Sequence, residues 1–106
     1  MITVELTLDN NQAISGFYIQ GHAQAGPHGQ DIVCAGVSSL VQASIMGIER
    51  HLGRDINLTQ NAKGLKMSLI GESDNLTNAI LETMLLGLTE IAKRYPKSVR
   101  IIGHRR

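Results

Sequence analysis

The chain has 106 residues, the length of one domain with a single core and no need of disulfide staples. Its hydrophobic content of 42% excludes a disordered chain, and the absence of Trp with a single Phe makes the core aliphatic and leaves little aromatic surface for stacking on bases. A net charge of +1 names no partner, and the one cysteine excludes an internal disulfide and fits a reducing compartment.

In chain order, residues 2–8 (ITVELTL) alternate apolar and polar without a break. That period predicts a strand with Ile2, Val4, Leu6 and Leu8 on its buried face. Asp9-Asn10-Asn11-Gln12 is turn chemistry, because Asn and Asp tolerate left-handed backbone angles. Residues 14–20 form a second strand, antiparallel to the first, in which Gly16 marks a bulge. A loop from Ala23 to Gln30 follows. Asp31 is a good N-cap for a helix over 32–52, with Val37, Leu40, Val41, Ser44, Ile48 and Leu52 on one stripe. Small residues at Ala35, Gly36, Ser39, Ala43 and Gly47 allow close packing elsewhere on that helix, and Gly53 ends it.

Residues 56–60 and 65–70 predict two short strands joined by a hairpin loop, Asn61-Ala62-Lys63-Gly64. Gly71 breaks the pattern, and Ser73 or Asp74 caps a second helix over 75–94. Its stripe is Leu76, Ile80, Met84, Leu88 and Ile91, widened by Leu81, Leu85 and Ala92. Tyr95-Pro96 stops the helix, residues 98–102 form a last strand, and Gly103 to Arg106 is a basic end. The order ββαββαβ predicts one α+β domain over 1–106, a two-layer fold. About five strands form a mixed or antiparallel sheet with both helices on one face.

Two features of this layout have two readings each. The broad stripe of the second helix suits an oligomer interface or a thickly buried helix. The six Lys and Arg residues from Lys93 to Arg106, with no acid among them, suit an RNA-docking tail or a solvated, solubilising end. No apolar run approaches the ~20 residues of a membrane span, and Met1-Ile2-Thr3-Val4-Glu5 is no signal peptide, so a cytoplasmic protein without membrane contact is expected.

The chemistry concentrates between Gly21 and Ser38, where the hydrophobic period changes from strand to helix. This stretch holds the only cysteine, two of the four histidines and four of the eleven glycines. With Asp31 as N-cap, Cys34 stands at the third helical position, where the positive end of the macrodipole favours a thiolate. His22, at the end of the preceding strand, is placed to take the thiol proton and later protonate a leaving amine. Gly26 and Gly29 are hinges that let the loop fold His22 over the helix start and open for a polymer substrate. Asp31 either caps the helix or orients His22, and Ser38, one turn beyond Cys34, either supports a thiolate or oxyanion or simply fills the helix. His28 reads as an exposed bystander. From spacing alone, Cys34 is a nucleophile or an inert buried thiol. His22, His28, Asp31 and Cys34 are all acceptable zinc ligands, but their spacing matches no strong zinc pattern, and no metal or cofactor is expected.

Gly21-His22-Ala23, then Gly26 and Gly29, then the run from Asp31 to Ser38 (DIVCAGVS) resemble the ribosomal-processing cysteine protease family, Prp. The resemblance covers the whole chain in length and element order. One departure is Gly36, where the family commonly has alanine, which here adds flexibility near the nucleophile. The resemblance implies a cytoplasmic, homodimeric endopeptidase. Its substrate would be the precursor of bacterial ribosomal large-subunit protein twenty-seven, from which it removes a hydrophobic N-terminal extension with aromatic residues. It further implies Cys34 as nucleophile and His22 as general base, with Gly21, Asp31 and Ser38 at other motif positions. The competing class is a non-catalytic ribosome-associated module that docks through the basic tail.

Overall fold

The computed structural model describes residues 1–21 and 29–105, with the backbone alone at residues 29–31, 104 and 105. The uninterrupted alternation at the N-terminus gives β1 (Ile2–Leu8), with Ile2, Val4 and Leu6 buried. It pairs antiparallel with β2 (Ile14–Gln20), as the short connection predicts. Asp9 shapes that connection: its Oδ1 accepts the backbone N–H groups of Asn11 and Ala13 at 2.8 and 3.0 Å. The left-handed residue is Gln12, at φ +65°, and not one of the Asn or Asp residues. The bulge falls on Ser15, because Thr7 faces Gly16 while Leu8 faces Ile14. Gly16 itself serves close approach, since a Cβ there would lie 2.5 Å from the Met67 carbonyl oxygen.

β3 (Ile56–Asn61) and β4 (Gly64–Leu69) form the second hairpin. Its turn is shorter than the predicted loop, because Asn61 and Gly64 pair and only Ala62 and Lys63 lie between them. Asn61 Oδ1 holds the turn by accepting the Lys63 and Gly64 N–H groups at 2.8 and 3.2 Å. The last strand, β5 (Val99–Arg105), outruns its predicted end because it pairs in parallel with all of β1, from Ile2 opposite Val99 to Leu8 opposite Arg105. The sheet order is β3-β4-β2-β1-β5, with β5 the parallel member of a mixed sheet.

α1 (Gly29–Met46) begins earlier than its apolar stripe suggests. Asp31 is therefore the third helical residue and not the N-cap; an acid in the first turn complements the positive end of the macrodipole without capping. The α-helical ladder also stops short of residue 52. A π-helical turn, Gly47–His51, takes over, with the Leu52 N–H donating to Gly47 O at 2.9 Å. Gly53, at φ +65°, ends it as expected. With this turn, Ile32–His51 is long and apolar enough to cross a membrane by length and composition (mean hydropathy 1.5), although polar residues interrupt every apolar run within it. Its apolarity has a local destination: Val33, Val37, Val41, Ile45 and Ile48 are buried in the core.

α2 (Asn75–Arg94) has the predicted bounds, and its predicted apolar stripe lies in or against the core except at Leu76. Thr77, Leu81, Met84 and Leu88 are buried, whereas Leu76 is 54% exposed. The stripe is wide because α2 packs against both the sheet and α1. Ile80 and Ile91 belong to the helix–helix seam: a Cβ at Gly47 or Gly36 would meet their side chains at 3.3 Å. At Gly87 the helices are closer still, with Leu40 Cδ1 2.8 Å from where a Cβ would stand. A side chain at Gly36 would press on the tip of Ile91, so the glycine eases the packing of α1 on α2.

Candidate active site

Cys34 is half-buried on α1 and packs against the core while also lining a cleft of about 280 Å³. Sheet register builds the floor of this cleft. Gln20, at the end of β2, lies opposite Thr3 on one side and Gly64 on the other, so three strands share one sheet end. Ile2, Ile19 and Leu65 form an apolar floor there, and Val37 and Val41 continue it along α1. The rim is polar: Ser38 and Gln42 on α1 face Gln60, Asn61 and Lys63 of the β3–β4 hairpin.

Two glycines permit this crowding of backbones. Gly21 sits at φ +86°, and a Cβ on it would collide with the Met1 carbonyl oxygen. A Cβ on Gly64 would collide with the Ile19 carbonyl oxygen in the same way. Both glycines line the cleft with Cys34. Gly21 thus has a conformational reason for its place in the motif, beyond any role in chemistry.

Of the residues singled out from sequence, the structure brings Gly21, Cys34 and Ser38 to one cleft. Ser38 is exposed one helical turn beyond Cys34, about 6 Å along the axis. His22, Gly26 and His28 lie outside the described residues, and the Asp31 and Gly29 side groups are likewise not described. Cys34 is the sixth residue of α1, deeper than the third position expected from an Asp31 cap. Among the described residues no group of three His, Cys, Asp or Glu side chains is arranged to hold a metal ion. Sequence reading missed the hairpin wall, Gln60, Asn61 and Lys63, and with it Gln42. Strand order decides which hairpin borders Cys34, and no local motif encodes strand order.

The family model described as cysteine protease Prp matches residues 1–100. The chain belongs to the Prp family of cysteine proteases. It is 32% identical to the ribosomal processing cysteine protease Prp of Staphylococcus aureus (strain Mu50), over 95% of this chain and 97% of that protein. Among solved structures, an essential ribosomal processing protease Prp from S. aureus in complex with a substrate peptide superposes with a TM-score of 0.88 at 25% identity, covering 98% of this chain and 100% of the other. A second structure of S. aureus Prp, with a covalently linked product peptide, gives 0.81 at 30% identity, over 98% and 100% of the two chains. Membership makes this Prp-family chain a cysteine peptidase and sets aside the reading as a non-catalytic binding module.

Proposed function

We propose that this protein is an endopeptidase that removes the N-terminal extension of bacterial ribosomal large-subunit protein twenty-seven, with Cys34 as nucleophile and His22 as general base. One observation carries the reading: the only cysteine of the chain opens into an apolar-floored cleft also lined by Gly21, the residue bonded to His22. A cleft with an apolar floor and amide-bearing rim suits an extended hydrophobic peptide, whose side chains go down and whose backbone bonds to the rim. The S. aureus relatives, named as ribosomal processing proteases and solved with substrate and product peptides, supply the substrate class.

In the proposed reaction His22 takes the Cys34 thiol proton as the sulfur attacks the scissile carbonyl. The resulting imidazolium protonates the departing amine, which leaves as the new N-terminus of the ribosomal protein. His22 then takes a proton from water, and the hydroxyl attacks the thioester. The extension is released as a carboxylate and Cys34 recovers its proton. Ser38, on the cleft rim, is assigned to oxyanion or thiolate support, and Asp31, no longer needed as a cap, to orienting His22. Gly26 and Gly29 serve as loop hinges.

The protein is further read as a cytoplasmic homodimer. Leu76 and Leu86 of α2, 54% and 69% exposed, support association, and sedimentation at twice the chain mass is the expected result. The basic run from Lys93 to Arg106 supports a weak ribosome contact, expected to weaken with salt. The central test is incubation with the extended ribosomal protein, with the product's N-terminus read by mass. Loss of the extension with the unmodified enzyme, and none with Cys34→Ala, is the expected outcome.

A further inference from the structure

The cleft that begins at Cys34 does not end there. It follows one face of α1 through Ser38 and Val41 to Gln42, and its far side is the tip of the β3–β4 hairpin. Eight helical residues from Cys34 to Gln42 span about 12 Å. An extended peptide rises about 3.3 Å per residue, so the cleft has room for about three to four substrate residues beyond the thiol.

Among the described residues its charge is one-sided. The described lining residues are apolar side chains, glycines, amides, a hydroxyl and the thiol, with a single charged group, Lys63. There is no carboxylate among them to balance that cation. Lys63 is exposed at the rim, and its backbone is held by the Lys63 and Gly64 N–H bonds to Asn61 Oδ1 that close the turn. The hairpin is also tied tightly to the sheet, because Gly64 lets β4 approach the Ile19 carbonyl without a Cβ between. The cation therefore sits on a rigid turn and not on a loose loop.

We propose that the hairpin tip is a charge-selective subsite, in which Lys63 favours an acidic or neutral substrate residue and disfavours Lys or Arg within about four positions of the scissile bond. This rests on the reading of the cleft as the peptide site. Lys63 is a specificity-determining residue that acts on binding and takes no part in the bond-breaking chemistry.

The test uses Cys34→Ala protein, so that binding is read without turnover. The ligands are a peptide spanning the extension junction of ribosomal protein twenty-seven and variants with Glu, Gln or Lys at each of the four positions on either side. With Lys63 present, one position binds Glu better than Lys by about threefold or more, the size of an exposed ion pair. In Lys63→Glu that preference inverts, in Lys63→Gln it disappears, and 0.5 M salt (about a 4 Å screening length) shrinks it. The same preference at every position in all three proteins overturns the subsite, as does failure of every peptide to bind. The parent reading is scored separately by cleavage with Cys34 intact. Charge-selective binding without Cys34-dependent cleavage would keep the subsite and sink the proteolytic assignment.

Discussion

The two helices lie side by side on the same sheet face, yet their first turns are built for different ends. At α2 the start is closed by its own residues. Asp74 Oδ1 accepts the Leu76 and Thr77 N–H groups at 2.9 and 3.0 Å, and Thr77 Oγ1 accepts the Asp74 N–H at 3.0 Å. Arg54 pairs with the other carboxylate oxygen. This is a complete capping box, with its carboxyl held below the usual carboxylate range by the Thr77 N–H first and by Arg54 next. At α1 the first turns instead lead to a half-buried thiol facing a cleft. The start of α2 is a structural joint satisfied by its own capping box, whereas the second turn of α1 presents a thiol to a peptide-sized cleft.

The largest effect that sharpens this contrast is chemical and confined to α1 and its approach. His22→Ala is expected to slow processing by about a hundredfold to ten-thousandfold, the range of a lost general base, with the thermal midpoint unchanged. A variant that loses stability along with activity would make His22 a structural residue and break the contrast. Next comes the core face of α2. Leu88 is fully buried, and Leu88→Ala is expected to cost about 2–5 kcal/mol in denaturant unfolding, while any protein that remains folded keeps its kcat.

Gly21 stands between these cases, as a backbone residue that shapes the cleft. Gly21→Ala must hold a left-handed angle against the Met1 carbonyl. A loss of about 1–3 kcal/mol is expected, together with a raised KM. An unchanged KM would separate the sheet end from the substrate site. The smallest effect is at the closed helix start. Asp74→Ala should lower the thermal midpoint by a few degrees near neutral pH, the order of a lost cap. Because the folded carboxyl is held low, its contribution is present above the unfolded value of about 3.9 and is lost as pH falls through the lower folded value. The gap between wild type and variant should therefore close in acid. A gap that persists unchanged below pH 3 would contradict the charge-based account of the cap.

Local patterns carried most of the fold. Strict alternation at Ile2–Leu8 and Asp74 ahead of an apolar run specify β1 and α2 through near-neighbour physics, and both have the expected bounds. The start of α1 was harder to read, because Asp31 suits a first-turn position as well as a cap, and the helix continues back to Gly29. The stripe of α2 is legible except at Leu76, which is exposed, and its width has a tertiary reason: Ile80 and Ile91 pack toward α1. The same holds at the site. Cys34, Ser38 and Gly21 were legible as a motif, but Gln60, Asn61 and Lys63 join them only through the β3-β4-β2-β1-β5 order.

The most direct test of the central claim is the rate at which purified protein trims the extended form of ribosomal protein twenty-seven, followed by mass spectrometry of the product's N-terminus. The account predicts a single new N-terminus with the unmodified enzyme and at least a thousandfold slower appearance with Cys34→Ala, the scale of removing a covalent nucleophile. Trimming by Cys34→Ala at the unmodified rate would contradict it.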